Sequence, residues 1–295
     1  MISVTDNIRL QAEQHPLEFS GEFTSLEEYC LHLAHLRAYQ EAALLGINKS
    51  VLDLGCNNGY GTALLNSRCA NVIGIDVSPM AIQDAQQRFG NYGINFLVYD
   101  GRTIPFGDRS FDMIVSFQVI EHIADTTSYL AEIVRVLRPA GMALFTTPNA
   151  AIRLDPGMKP WNHFHVREYL ADQLSLQLRL VFAEVSIRGL FAVKDLYRIE
   201  FERCQGALRG ARKRNSWRPA TMKYVRDKGV SVMKILLPAH TIDYMRARRT
   251  LTATRKASEG TLRADIMNKY STRDFFYKPD SLNDALDLMA ICKIM

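Results

Sequence analysis

The chain has 295 residues, of which 47% are hydrophobic and 23% charged, proportions that argue for a globular protein with a sizeable core and against a disordered or fibrous chain. Its net charge is +5, and its five cysteines, Cys30, Cys56, Cys69, Cys204 and Cys292, are scattered without a Cys-x-x-Cys pair, which argues against a disulfide framework and a cysteine zinc site. No uncharged apolar run of spanning length and no N-terminal signal peptide is visible, so a reducing, cytoplasmic setting is expected.

Residues 1–46 read as a loose lead-in followed by one helix. Ser25 and Glu28 have the spacing of a capping box. Leu26, Tyr29, Cys30, Leu33, Leu36 and Leu44 fall on or near one helical face before Gly46, which stops the helix. His32, His35 and Arg37 ride on this helix and are read as rim or surface residues.

Next comes Val51-Leu52-Asp53-Leu54-Gly55-Cys56-Asn57-Asn58-Gly59-Tyr60-Gly61. It reads as a buried strand over 50–54, a glycine-rich turn and the start of a helix that runs to about Arg68. A dinucleotide fingerprint fails here, because the third and sixth positions from Gly55 are Asn57 and Tyr60. A phosphate-binding loop fails because no Gly-Lys-Ser/Thr follows. Asn71 to Asp76 reads as a second strand, ending in an acidic residue that can accept both hydroxyls of a ribose. Ser78-Pro79 caps and opens a helix that Gly90 ends. Strand three is 94–99, followed by Asp100-Gly101. Strand four is 111–117 and continues into Gln118-Val119-Ile120-Glu121-His122-Ile123. Asp125 caps a helix through Leu137, Arg138-Pro139-Ala140-Gly141 breaks it, and 142–149 is strand five with its exit turn.

Strands and helices alternating at this spacing predict a parallel sheet covered on both faces. Such sheets bind ligands beyond the carboxyl ends of their strands. The turn after Gly55, Asp76, Asp100, Gln118 to His122 and Asn149 would share that edge. A helix through Leu178 and a strand near 180–187 follow. The stretch from Lys194 to Glu259 then holds 17 Lys/Arg against 6 Asp/Glu, with helical stretches broken by Pro219 and Pro238. Residues 286–292 return to strand character. A basic segment on an otherwise acidic body suggests an anionic partner. Arg209 to Arg218, with Trp217, has the composition to grip phosphates of a nucleic acid or of a diphosphate-lipid-linked sugar at a membrane surface. No RNA-binding motif is present, so nucleic acid ranks second.

The order Asp53, Gly55, Gly59, Gly61, then Asp76, Asp100, Phe111-Asp112, Glu121-His122 and Leu137-Arg138-Pro139-x-Gly141 resembles the class I S-adenosylmethionine (SAM) dependent methyltransferases over about residues 30–190. Asn57 replaces the middle glycine of the first motif, a mild departure because Asn tolerates left-handed backbone angles. Asn162-His163-Phe164-His165-Val166-Arg167-Glu168-Tyr169 resembles a segment after strand five in bacterial methyltransferases of surface-polysaccharide and glycan biosynthesis. The resemblance implies an α/β, Rossmann-like fold: a seven-stranded, mostly parallel sheet with helices on both faces and a helical insertion before the last strand. It divides the chain into a lead-in and lid helix (1–46), a SAM-binding core (47–192), a basic helical cap over the acceptor site (193–280) and the core's final strand (281–295). It implies SAM as cofactor, released as S-adenosylhomocysteine. Asp53, Gly55, Cys56, Asn57, Gly59, Asp76, Val77, Asp100, Gly101, Phe117 and Gln118 would hold it, Asp100 at the adenine amino group.

Methyl transfer to a hydroxyl requires an in-line acceptor and removal of its proton, a task for histidine. His165 and His122 rank ahead of His163 as the base, with Glu121 beside them. A divalent metal held by Glu121, His122 and His163 or His165 ranks lower. The metal-dependent small-RNA 2′-O-methyltransferases have a glutamate where this chain has Gln118. The reading is therefore an O-methyltransferase acting on a hydroxyl of a small molecule or glycan, foremost a sugar, anionic or lipid-linked, with peripheral membrane contact left open. RNA 2′-O-methylation and SAM binding without catalysis are the alternatives.

Overall fold

The apolar runs of the sequence assemble into one sheet whose carboxyl edge carries the residues of interest. The structure, a computed structural model, describes residues 23–216 and 264–295, with the backbone alone for 213–216 and 264–266. The expected lead-in up to residue 22, Trp217, Pro219 and Pro238 lie outside the described residues. The elements are α1 (Leu26–Leu45), β1 (Ser50–Leu54), α2 (Tyr60–Asn66), β2 (Asn71–Asp76), α3 (Pro79–Phe89), β3 (Asn95–Val98), β4 (Phe111–Phe117), α4 (Thr126–Val136), β5 (Leu137–Pro148), α5 (Ala150–Arg153), α6 (Ala171–Leu178), β6 (Glu184–Ala192), α7 (Lys194–Ser216), α8 (Ala264–Lys269), β7 (Phe275–Lys278) and β8 (Asp287–Lys293).

The strand order is β3-β2-β1-β4-β5-β8-β6-β7. The first five strands are parallel. The chain's last strand, β8, runs antiparallel between β5 and β6. This is the expected mostly parallel, Rossmann-like α/β architecture, with one strand more than expected. The eighth, β7, pairs antiparallel with the outer half of β6. It was hidden because Phe275-Phe276-Tyr277-Lys278 is only four residues long and sits in the stretch read as helical. Pairing makes it a strand: Phe275 is buried and the rings of Phe191 and Phe276 stack across the ladder.

Alternate residues of the central strands feed two cores. Leu52, Leu54, Ile114 and Phe145 face α4 and α6, whereas Val51, Val115 and Leu144 face α1. Burial on both faces explains why β1 and β4 read as continuous apolar runs. Each fully buried aliphatic side chain contributes about 1.5–3 kcal/mol relative to exposure. A second expectation is corrected at β5. Arg138 to Gly141 do not form a loop after α4; the strand begins at Leu137, directly where the helix stops. The register against β4 shifts between Phe111 and Met113, and Ala140 takes a φ of 59°. The Pro-Ala-Gly run is thus absorbed as an irregularity inside the strand and not as a separate turn.

Helix α1 starts at Ser25, whose Oγ accepts from the Glu28 amide at 3.2 Å, while the Glu28 carboxylate turns to Thr24. Its buried stripe includes Ala38, Tyr39, Ala42 and Ala43, while Leu44 is exposed. The alanines decide this, because they let the helix approach the sheet closely. Gly61 does the same on α2. A Cβ there would come within 2.1–2.4 Å of the Tyr39 ring, so this third glycine serves helix packing and not the turn. The Tyr39 hydroxyl donates to both oxygens of Asp53, at 3.2 and 3.3 Å, and Thr62 Oγ1 donates to Asp53 Oδ2 at 2.7 Å. One fully buried carboxylate on β1 thereby holds both α1 and α2.

Gly61→Ala is expected to destabilise the protein by about 1–3 kcal/mol through overpacking against Tyr39, seen as a lowered midpoint in thermal denaturation. An unchanged midpoint would refute the packing. Asp53 gives a second expectation. Burial pushes its carboxyl up from 3.8 to about 7, against the lowering pull of Thr62 and Tyr39, with the charge of Asp76 raising it further; Cys56 and Tyr60 are the other titratable neighbours. The folded state therefore holds this proton more tightly than the unfolded chain. Its contribution to stability is full below pH 4 and falls as pH rises to 7, by at most about 1.4 kcal/mol per pH unit. In ligand-free protein, urea unfolding at several pH values should show a shallower decline for Asp53→Asn than for the native chain. Equal slopes would contradict the assignment.

Candidate functional site

A cavity of about 530 Å³ opens at the carboxyl edge of the sheet, a size suited to a cofactor-sized ligand. It is walled by the turn after β1, the ends of β2 and β4, the Gln118–Ile123 loop, the 161–165 segment and α1. Of the expected cofactor residues, Gly55, Cys56, Asn57, Asp76, Val77, Gly101, Phe117 and Gln118 line it. Asp53, Gly59 and Asp100 do not. Asp53 lies beneath the turn as the clamp already described. Gly59, at φ 79°, starts α2, and a Cβ there would strike Ala85 and Phe96. Asp100 is exposed, and its Oδ1 accepts from the amides of Arg102 and Thr103 at 2.8 Å, bonds that hold its pKa below the ordinary value.

The turn fits close approach by a ligand. Gly55 and Asn57 both have left-handed backbones, φ 87° and 47°, as the asparagine substitution predicts. A Cβ on Gly55 would come within 2.5 Å of Val119. Asp76 is buried at the end of β2, its two oxygens each accepting one backbone amide at 2.9 Å, from Asn57 and Ser78. Burial raises its pKa and these amide bonds lower it, with a net rise. Each oxygen keeps acceptor capacity toward the cavity, the requirement for holding a pair of ribose hydroxyls. On these observations the residues present fit SAM.

The opposite end of the cavity is polar. Glu121 is 1% exposed. Its Oε2 accepts from Thr147 Oγ1 at 3.1 Å, its Oε1 is buried without a hydrogen-bond partner among the described residues, and burial lifts the carboxyl to about 7. His122 donates from Nδ1 to the Phe164 carbonyl at 3.1 Å, and burial lowers its pKa to about 4, so the ring is neutral with Nε2 as acceptor. His165 donates from Nδ1 to Glu168 Oε1 at 2.7 Å. The two rings meet edge to face with centroids 4.7 Å apart. Backbone bonds from Val166 and Arg167 to the Glu121 carbonyl, at 2.8 and 3.2 Å, dock the two loops together. His163 is exposed on the rim with its ring against Phe164, outside this group. The Gln118 amide turns away, donating to Asp287 Oδ2 at 3.2 Å.

Several residues of this site were not singled out in the sequence. Glu168 is buried and takes a paired bond from Arg153, Nε to Oε2 at 2.8 Å and Nη2 to Oε1 at 3.0 Å. Burial alone would raise its pKa, but the bonds from His165 and Arg153 bring it below the ordinary value. Arg153 also stacks on Trp161, 4.3 Å from the ring centroid. His35 and Tyr39 of α1 line the cavity together with Tyr60, and the Tyr60 hydroxyl lies 3.3 Å from His35 Nδ1. His35 is therefore a cavity residue and not a surface one. Asn149 faces inward, donating to the carbonyls of Leu282 and Ala285, and does not reach the cavity. Of the basic segment, Arg212 pairs with Asp155, and the side chains from residue 213 to 218 are outside the described residues.

Comparison with known proteins agrees with this geometry. The family model described as a methyltransferase domain matches residues 52–145. A probable SAM-dependent methyltransferase of Mycobacterium tuberculosis is 35% identical over 181 residues, 59% of this chain and 65% of that protein. A fatty-acid O-methyltransferase of Mycolicibacterium smegmatis is 33% identical over 133 residues, 44% of this chain and 46% of that one. The chain thus spans less than two thirds of the length of these curated relatives. Among solved structures, a SAM-dependent methyltransferase of Thermotoga maritima, described as a possible histamine N-methyltransferase, covers 90% of this chain and 92% of its own at 12% identity and a TM-score of 0.50, a likeness of fold. The relatives include methyltransferases of lipids, and a relation to polysaccharide enzymes in particular is not among these findings. The stretch that matches the methyltransferase-domain model, residues 52–145, is the one that carries the glycine turn, the anchored Asp76 and the Gln118–Ile123 loop of the cavity.

Proposed function

We propose that the protein is a SAM-dependent O-methyltransferase whose acceptor is a hydroxyl group of a small molecule or glycan. The observation that carries the reading is the pairing of two walls in one cavity. Asp76 and the Gly55–Asn57 turn stand on one side, and Glu121, His122 and His165 on the other. SAM, when bound, supplies an electrophilic methyl group on a sulfonium with an excellent leaving group. What remains for the chain is to bind, orient and desolvate the partners and to manage one proton.

The residues divide that work. Asp76 receives the ribose hydroxyls, with Val77, Tyr99 and Gly101 forming the wall beside it, while Gly55 and Asn57 let the backbone come close. Helix α1 closes the cavity from above with Leu31, His35 and Tyr39, which supports the lid assignment for this helix. Glu168, itself neutralised by Arg153, orients His165 and fixes its Nδ1–H tautomer, so that Nε2 presents a lone pair. His122 presents its Nε2 by the same logic through the Phe164 carbonyl. The polar wall of Glu121, His122 and His165 is where the acceptor hydroxyl is activated. Trp161, Asn162 and His163 extend that wall outward. One aromatic face among polar groups suits a polyhydroxyl ring, which supports a sugar acceptor, free or lipid-linked; the lipid methyltransferases among the relatives support the lipid-linked form. No described helix is long and apolar enough to cross a membrane, so a lipid-linked acceptor would be met at the membrane surface.

Two measurements test this reading. Calorimetry with SAM or S-adenosylhomocysteine should show Asp76→Ala losing affinity by roughly a hundredfold or more, the scale expected when paired hydrogen bonds to a buried charge worth about 1.5–3 kcal/mol each are removed; unchanged affinity would remove Asp76 from the cofactor site. A turnover screen across sugars, lipid-linked glycans, fatty acids and RNA should single out a hydroxyl-bearing glycan. On the acceptor found, His165→Ala is expected to lower turnover by about 10²–10⁴-fold with SAM affinity nearly intact. Preference for RNA or for a carboxylate acceptor would overturn the assignment.

A further inference from the structure

We propose that Glu121, His122 and His165 form a binding site for one divalent transition-metal cation at the acceptor end of the cavity. The inference rests on the acceptor-site reading above and deepens it. One ligand atom from each of the three residues lies within 4.8 Å of the others, and Glu121 Oε1 is 3.8 Å from His122 Nε2. Two bonds of about 2.1 Å to a common ion allow donor separations up to about 4.2 Å. Side-chain shifts of under about 1 Å therefore bring all three donors onto one ion.

Three features distinguish this group from an incidental cluster. First, Glu121 Oε1 is a carboxylate oxygen, buried and without a hydrogen-bond partner among the described residues. An unpaired buried carboxylate oxygen is costly unless a cation meets it. Second, both imidazoles are held through Nδ1, His165 by Glu168 and His122 by the Phe164 carbonyl. Both Nε2 atoms are thereby oriented as donors of a lone pair, the arrangement in which metal-ligating histidines are kept. Third, the charges fit. The Arg153–Glu168 pair is self-neutralising, so the site itself carries the single charge of Glu121. A dication leaves +1, which an acceptor alkoxide would neutralise. Two imidazoles and one carboxylate suit ions of the zinc, manganese and cobalt class better than magnesium or calcium.

The absence of a glutamate at position 118 does not weaken the site, because the Gln118 amide is turned to Asp287 and three donors converge without it. With an ion in place, the acceptor hydroxyl enters as a further ligand and its proton passes to water. Its oxygen then forms the O–C bond to the methyl carbon as the C–S bond breaks. The electron pair of that bond stays on sulfur, converting sulfonium to thioether. The metal lowers the hydroxyl's pKa and fixes the oxygen in line.

The test uses the full chain, stripped with a chelator and titrated with Co²⁺. One equivalent should bind and give visible d–d absorption without a thiolate-to-cobalt band, which separates this site from Cys56 and the other cysteines. Glu121→Gln and His165→Asn, checked for folding by circular dichroism, should each weaken Co²⁺ binding by at least tenfold, and Glu168→Gln by about 10–100-fold as an outer-shell partner. If a variant does not fold, the native Co²⁺ form decides: two exchangeable, hyperfine-shifted imidazole N–H signals are expected from His122 and His165. No d–d band, a thiolate band alone, or unchanged affinity in both ligand variants overturns the proposal. Calorimetry with SAM on the same sample keeps the two readings apart. SAM binding without Co²⁺ binding refutes the cation site and leaves the methyltransferase reading standing, and the converse does the reverse.

Discussion

The structure turns on one buried carboxylate. Asp53 sits on the central strand β1 with no exposed surface, and it is held by a tyrosine from α1 and a threonine from α2. Leaving such a group without these bonds would cost several kcal/mol, so the two helices are tied to the strand from which the glycine turn departs. Gly61 lets the Tyr39 ring fit between them. The turn, the roof of the cavity and the first strand are therefore one mechanical unit. Asp53 influences the cavity by placing Gly55 and Asn57, and does not itself line it.

A second buried carboxylate organises the other wall. Glu168 joins Arg153 at the end of α5 to His165 in the 161–165 segment, and the same segment binds the Glu121 carbonyl through its following residues. Both carboxylates are structural centres, but with opposite electrostatics. Asp53 is surrounded by neutral donors, so burial dominates and its pKa rises. Glu168 has a guanidinium and an imidazole beside it, so its pKa falls. The cavity between them inherits one anchored acceptor, Asp76, and one underbonded carboxylate, Glu121.

Much of the fold was legible because it is written locally. The apolar runs of β1, β2 and β4 appear within one residue of their expected bounds, as do the caps at Ser25, Ser78 and Asp125. These depend on side chains a few positions apart. Where expectation and structure part, the deciding partner is distant in sequence. β7 is a strand only because Gly189–Ala192 offers it a ladder. Arg138 to Gly141 fall inside β5 only because Leu137 and Met142 on either side of them pair with Phe111 and Met113 of β4 across a register shift. The buried stripe of α1 follows its alanines because α2 and the sheet lie close, which no periodicity of large apolar residues reports.

The same division holds at the site. The sequence alone determined the glycine turn, the acidic end of β2, the placement of Gln118 to His122 beyond β4 and the histidines after β5, because an α/β chain brings the ends of its parallel strands to one edge whatever the details of packing. Only the tertiary structure decided how those residues are engaged around the cavity. Asp53 was drawn under the turn by Tyr39 and Thr62, and Asp100 was occupied by its own turn. Gln118 was claimed by Asp287, 169 positions away. Glu121 and His122 were joined to the 161–167 segment by bonds from Val166 and Arg167 to the Glu121 carbonyl and from His122 to the Phe164 carbonyl, and His165 was held there by the Arg153–Glu168 ion pair. Hydrogen bonds and ion pairs between remote segments are set by how the loops dock, and a buried polar group takes whichever partner that docking supplies.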